Sequence, residues 1–136
     1  MAVQFQFRVL YADTDAMEQA YYANYLKWFE IGRSEFFRSC GKTYRELESE
    51  GVFLPVIEAH CKYVKPAFYD DLLIISTTFC FEGPARLRFD YELHRNPDGE
   101  LLANGYTVHV CKDPERKVIR PPESLKALIE SIGRDD

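Results

Sequence analysis

Residues 3 to 10 alternate, with Val3, Phe5, Phe7 and Val9 on one side and Gln4, Gln6 and Arg8 on the other. A period of two predicts a strand with one buried face. Residues 11 to 20 lose that alternation and read as a loop. From Tyr22 to about Arg38 the pattern changes to steps of three and four: Tyr22, Tyr25, Leu26, Phe29, Phe36 and Phe37, with Arg33 as the charged interruption. This predicts a helix roughly 25 Å long with one face turned inward. Gly41 suits its stop. Residues 43 to 50 (TYRELESE) predict a short polar helix closed by Gly51.

Four strand-like stretches follow, at 52–65, 71–82, 85–95 and 100–112. The third sets Leu87, Phe89, Tyr91 and Leu93 against Arg88, Asp90, Glu92 and His94. Asn96-Pro97-Asp98-Gly99 predicts the turn between the third and fourth. Pro97 presets φ at the second position, Asp98 suits the third, and Gly99 takes a left-handed residue in a hairpin bulge. Those two strands should therefore pair antiparallel. Pro121 and Pro122 stop what precedes them, and ESLKALIESI predicts a closing helix with Leu125, Leu128, Ile129 and Ile132 on one face.

The element order predicts an α+β domain, a long helix packed against a five-stranded antiparallel sheet. A chain of 136 residues suits one domain, 1–136, with a full hydrophobic core. One long helix cannot cover both sheet faces, and long strands leave edges open to pairing. A homo-oligomer, dimer or tetramer, is the expected remedy.

Composition narrows the function classes. Hydrophobic residues at 46% and charged residues at 29% argue against disorder. The aromatic share of 15% implies a core or cleft with much ring surface. A formal charge of -5 disfavours generic binding to nucleic acid or anionic membrane, so an anionic ligand would need a local cationic patch. The longest purely aliphatic run, Leu72 to Ile75, is far short of the roughly 20 residues of a membrane span. The N-terminus alternates, unlike a signal peptide. Cys40, Cys61, Cys80 and Cys111 form no CxxC pair, so zinc spacing is missing and reduced thiols in a cytoplasmic setting are expected. No haem, flavin or nucleotide motif is present, and neither cofactor nor metal is expected.

Asp15 lies in the loop feeding the first turn of the long helix, where backbone N–H groups lack intrahelical partners and the dipole is positive. A carbonyl oxygen gathering negative charge would be stabilised there. A nearby carboxylate could activate water or attack the carbonyl itself. Spacing alone leaves Asp13 or Asp15 equally readable as a cap or turn residue. A calcium loop is disfavoured because its downstream Gly and bidentate Glu are missing.

The run DTDAMEQAYYANYLKWFEIGR at 13–33 resembles the 4-hydroxybenzoyl-CoA thioesterase family of hotdog-fold acyl-CoA thioesterases, particularly the Tol-Pal-associated branch. The resemblance continues through LPVIEAHCKYVKPAFYDDLLI at 54–74 and the strand order. It implies thioester hydrolysis to a carboxylate and free CoA. Asp15 would be nucleophile or general base, and the Tyr22 backbone N–H would polarise the carbonyl. It also implies a dimeric site built from both subunits. Two departures stand out. Met17-Glu18-Gln19 replaces the family's glycine-containing loop, so acyl specificity does not carry over. Tyr22 replaces a common His, which leaves the amide role intact but removes any imidazole role.

The resemblance also makes Glu30 a candidate floor of the acyl pocket, against an intrahelical partner for Arg33 or Ser34. Arg86 and Arg88 become candidate contacts to the CoA phosphates, since arginine pairs with phosphate by bidentate geometry and the two share a sheet face. The alternative for both is a solvated strand face. Lys62, Lys65 and segment 112–120 are weaker candidates for that anion. Asn24 reads as a structural hydrogen-bonder. His60, His94 and His109 show no triad logic and read as sheet residues, which disfavours a hotdog dehydratase. Two other functions stay open: a non-catalytic acyl-CoA-binding module, and an acyl-carrier-protein thioesterase, whose acidic partner the chain's charge would repel.

Overall fold

The structure is a computed structural model describing residues 2–134. The element order is β1 (Val3–Arg8), a 3₁₀ turn (Tyr11–Asp13), α1 (Asn24–Ser39), α2 (Tyr44–Ser49), β2 (Val56–Tyr63), β3 (Leu72–Glu82), β4 (Arg86–Asn96), β5 (Leu101–Lys112), β6 (Val118–Ile119) and α3 (Glu123–Arg134). Five long strands lie in the order β1-β3-β4-β5-β2, all pairs antiparallel, and the two-residue β6 pairs with β5 as a sixth. With α1 packed on one face, this is the expected hotdog arrangement. Neither β6 nor its pairing is legible in the apolar pattern, because two residues carry no period.

The core face alternates as predicted. Leu73, Ile75 and Thr77 of β3 and Leu87, Phe89, Tyr91 and Leu93 of β4 are buried. α1 buries Tyr25, Trp28, Phe29, Gly32, Arg33, Phe36 and Phe37 against them. Phe29 stacks on Tyr91 with centroids 4.4 Å apart. The predicted inner face is therefore rotated slightly. Trp28 and Gly32 belong to it, whereas Tyr22 and Leu26 are exposed. Helical turns at Ala23 and beyond begin after Tyr22, so Tyr22 precedes α1 and does not start it.

Two glycines permit close approach. A Cβ on Gly105 would overlap the His60 carbonyl and stand 2.8 Å from the Phe29 ring. A Cβ on Gly32 would overlap the Thr77 hydroxyl. Arg33 turns inward, where its guanidinium donates to the hydroxyls of Tyr44 and Tyr91, each at 3.3 Å. The chain continues from Tyr91 to Thr107 at 2.6 Å, to His109 Nε2 at 2.8 Å, and from His109 Nδ1 to the Leu54 carbonyl at 2.9 Å. Burial pushes His109 down to about 4, so it is neutral at neutral pH. His109 is thus a structural sheet residue, as expected.

Gly41 ends α1 in a left-handed conformation at φ +93°, and its N–H bonds Arg38 at 3.0 Å. Thr43 caps α2 through the Glu46 N–H. Gly99 takes φ +73° at the β4–β5 turn. The 52–65 stretch is shorter as a strand than its pattern predicts. Pro55 has no N–H for a ladder, and before it only Phe53 pairs, in an isolated bridge with Lys112. On α3, Leu125 and Ile129 are buried as predicted; the side chain of Ile132 lies outside the described residues. Among the described residues no helix is long and apolar enough to cross a membrane.

Candidate active site

The β1–α1 loop has no glycine, yet it is tightly wound. Asp15 N–H donates to the Gln19 carbonyl at 2.9 Å, and Glu18 N–H donates back to the Asp15 carbonyl at 3.0 Å. Glu18 supplies the left-handed residue, at φ +66°. Thr14 bridges Ala20, and Gln19 bridges Phe68. The two aspartates part company here. Asp13 is buried, its carboxylate accepting from Leu10 N–H at 2.9 Å and lying 3.6 Å from Lys27 Nζ. Its carbonyl accepts from Tyr21 N–H and from the Asn24 side chain, both at 2.8 Å. Asp13 and Asn24 are therefore structural.

Asp15 is half-buried. Its Oδ1 accepts from Met17 N–H at 2.8 Å, which fixes the carboxylate's orientation. Among the described residues Oδ2 has no hydrogen-bond partner, and neither does the Tyr22 N–H. Asp15 and Tyr22 line one cleft of about 260 Å³, together with Gln19, Tyr25, Tyr63 and Lys65. A second cleft of about 440 Å³ shares Asp15 and adds Tyr11, Met17, Glu18, Phe68 and Tyr69. The Asp15 side chain thus forms the wall between two concavities. Met17 and Glu18, where the chain departs from the glycine-containing loop, line only the second.

Tyr63 is a site residue that the sequence pattern does not expose. Its hydroxyl donates to the Tyr22 carbonyl at 3.0 Å, and its ring packs edge-on against Tyr25 with centroids 4.9 Å apart. The Tyr25 hydroxyl accepts from Ala67 N–H at 3.3 Å. Only the period-two pattern of residues 52–65 touches Tyr63, and it gives no hint of a bond 41 positions away.

The other expected contacts are not brought to this cleft. Glu30 faces outward, in a groove with Phe5, Lys27 and Ile31. One residue on from the core-facing Phe29, it is turned about 100° away from the interior. Arg86 and Arg88 start β4 on the sheet's outer face. Their strand rows run through Val110 and Val108 to the Val56 end of β2, whereas Tyr63 lies at the opposite end. Arg88 is also heavily engaged. It reaches Asp90 through Nε and Nη2 at 3.1–3.3 Å, stands 3.6 Å from Glu82, and lies 4.0 Å over the Tyr106 ring. Those carboxylates hold its charge firmly. Arg86 is freer, at 3.9 Å from Glu82. Lys65 is paired with Glu100.

A further concavity, of about 580 Å³, is bounded by Tyr44, Phe53, Leu54, Pro55, Lys112 and Arg116 among others. Its Asp113 carboxylate is spent on the N–H groups of Glu115 and Lys117. Among the described residues no cluster of three or more His, Cys, Asp or Glu could hold a metal.

A sheet wrapped on one long helix is the hotdog fold. The chain belongs to the thioesterase-like superfamily, whose family model matches residues 9–129. It is 34% identical over 123 residues to the provisionally named acyl-CoA thioesterase YneP of Bacillus subtilis, covering 90% of this chain and 87% of that one. It is also 34% identical over 131 residues to the acyl-CoA thioesterase YbgC of Haemophilus influenzae, covering 94% of both. Among solved structures, the 1,4-dihydroxy-2-naphthoyl-CoA thioesterase Slr0204 from Synechocystis superposes with a TM-score of 0.89 at 25% identity, covering 98% of each chain.

Proposed function

We propose that this chain hydrolyses acyl-CoA thioesters to a carboxylate and free CoA. One observation carries the reading: Asp15, with one carboxylate oxygen tied down and the other without a partner among the described residues, lines the same cleft as Tyr22, whose backbone N–H is also unpaired there. In the reaction, Asp15 Oδ2 attacks the thioester carbonyl carbon or takes a proton from the water that does. The carbonyl oxygen gains negative charge and accepts the Tyr22 N–H. The C–S bond then breaks, and the CoA sulfur leaves as thiolate and is protonated. If Asp15 attacked, water hydrolyses the resulting anhydride. A thioester lying across the Asp15 wall has one arm in each cleft. Asp15 and Tyr22 are the catalytic groups of this reading.

The working unit is at least a homodimer, with a tetramer as the expected full assembly. β2 is a sheet edge with Val56, Ile57, Tyr63 and Val64 exposed along it. An antiparallel β2–β2 contact between two copies would set the Val56 end of one beside the Tyr63 end of the other. Arg86 and Arg88 of one copy would then approach the Asp15 cleft of its partner. Within one chain they stand roughly 20 Å further along the sheet, so the CoA phosphates are assigned across the pair. Glu30, outside the cleft within one chain, keeps a place in the acyl pocket only if the partner's cleft reaches it. Four unpaired thiols suit a reducing, cytoplasmic setting.

The test is thiol release from a panel of short, long and aromatic acyl-CoAs. Turnover of at least one is expected. Tight binding with no release from any would make the chain an acyl-CoA-binding module instead.

A further inference from the structure

We infer that Tyr63 is a positioning residue of the reaction: its hydroxyl pins the Tyr22 backbone so that the Tyr22 N–H stays aimed into the Asp15 cleft. The inference rests on the Asp15–Tyr22 reading above. Tyr22 sits between the loop and α1, in a turn held from two sides. Its carbonyl accepts the Tyr25 N–H at 3.2 Å and the Tyr63 hydroxyl at 3.0 Å. The first bond belongs to the start of the helix and moves with it. The second comes from the end of β2, across the cleft, and ties Tyr22 to the sheet.

Tyr22 needs such a tie. Its ring is largely exposed and meets the Tyr21 and Tyr63 rings at centroid distances of 4.7 and 6.2 Å, so the core does not fix it. The neighbouring Ala20 and Tyr21 are each locked by a backbone N–H bond, to Ala67 and Asp13, but the Tyr22 N–H itself has no partner among the described residues. A donor meant for a transition-state oxygen must be held without being satisfied. The Tyr63 bond does that, because it grips the carbonyl and leaves the N–H free. The Tyr63 ring is braced by edge contacts with Tyr25 and Tyr22, at 4.9 and 6.2 Å. Its phenol is pushed up to about 12 by desolvation, so it keeps its proton and remains a donor at working pH. Because Tyr63 lies on the sheet edge, the same bond links that edge to the catalytic turn.

The experiment compares wild type, Tyr63→Phe and Asp15→Asn in steady-state thiol release on one acyl-CoA. Tyr63→Phe keeps the ring and its contacts. It should lower kcat about tenfold through a looser amide, change KM less than about twofold, and leave the pH profile of kcat in shape. Wild-type kcat, or a loss confined to KM, overturns the inference. A second protein carries difluorotyrosine at position 63, whose phenol ionises at lower pH than tyrosine's. An ionised phenolate cannot donate to the Tyr22 carbonyl, so kcat should fall at alkaline pH where wild type holds. Parallel profiles for the two proteins overturn the inference even if Tyr63→Phe does not fold. An inactive Asp15→Asn beside an unimpaired Tyr63→Phe removes Tyr63 alone, whereas a fully active Asp15→Asn removes the reading beneath it.

Discussion

Gly32 of α1 lies so close over Thr77 of β3 that a Cβ at position 32 would overlap the Thr77 hydroxyl and stand 3.0 Å from Ile75 Cγ1. The Thr77 hydroxyl is buried and has no hydrogen-bond partner among the described residues. The helix backbone thus rests directly on the Thr77 and Ile75 side chains of the sheet, with no side chain of its own between. Gly32→Ala should push the two apart and cost about 1–3 kcal/mol by overpacking. A lower urea midpoint with unchanged slope would show it. An unchanged midpoint would mean that the contact yields without cost.

His109 makes stability depend on pH. Its folded pKa of about 4 lies below the ordinary value of 6.5, because burial disfavours the imidazolium and the Arg33 charge adds to this. The unfolded chain therefore binds the proton first as pH falls. The stabilisation is fully present above pH 6.5 and is lost as pH drops towards 4. Its size is about 3 kcal/mol by linkage. Unfolding free energies at pH 7, 5.5 and 4.5 should fall more steeply in wild type than in His109→Gln, since other titrating groups are common to both. Equal slopes would contradict this.

Arg86 and Arg88 should differ in their effect on substrate binding. Arg88 is already engaged by Asp90 and Glu82, so Arg86 is the freer cation and, on the proposed reading, the one better able to take a phosphate. Arg86→Ala is expected to raise KM for an acyl-CoA about three- to tenfold, and Arg88→Ala less. Neither should change KM for the matching acyl-pantetheine, which lacks the nucleotide. Equal effects on both substrates would place the arginines outside nucleotide binding.

The exposed β2 edge predicts an assembly defect. Ile57→Lys puts a charge on that edge, a device that opposes strand pairing. Light scattering should show a smaller species than wild type, with reduced turnover, because each cleft would lose its partner's arginines. An unchanged mass would direct attention to another contact surface.

Much of the fold was legible where a long period could be counted. β4, its antiparallel pairing with β5 and the left-handed Gly99 read cleanly because alternation and turn residues agree, whereas the cis Asn96–Pro97 bond has no signal in that pattern. α1 read as a helix, but Trp28 and Gly32 were missed on its inner face. Ring size and the absence of a side chain both fall outside a simple count of apolar positions. The stretch before Val56 reads as strand if apolar residues alone are counted, although Pro55, which has no N–H, marks the break in the sequence itself. Asp15 is singled out in the sequence by a resemblance alone, and its different setting from Asp13 shows only in the hydrogen bonds. Tyr63, the outward turn of Glu30 and the engagement of Arg88 depend on contacts between distant parts of the chain, which no local pattern carries.

The central claim is that Asp15 performs the chemistry beside the Tyr22 amide. Asn at this position keeps the size and the Met17 bond, so Asp15→Asn should melt with wild type. Single-turnover thiol release measures it most directly. A loss of at least about a hundredfold in the single-turnover rate constant with the fold intact is predicted; a wild-type rate in that variant would contradict the claim.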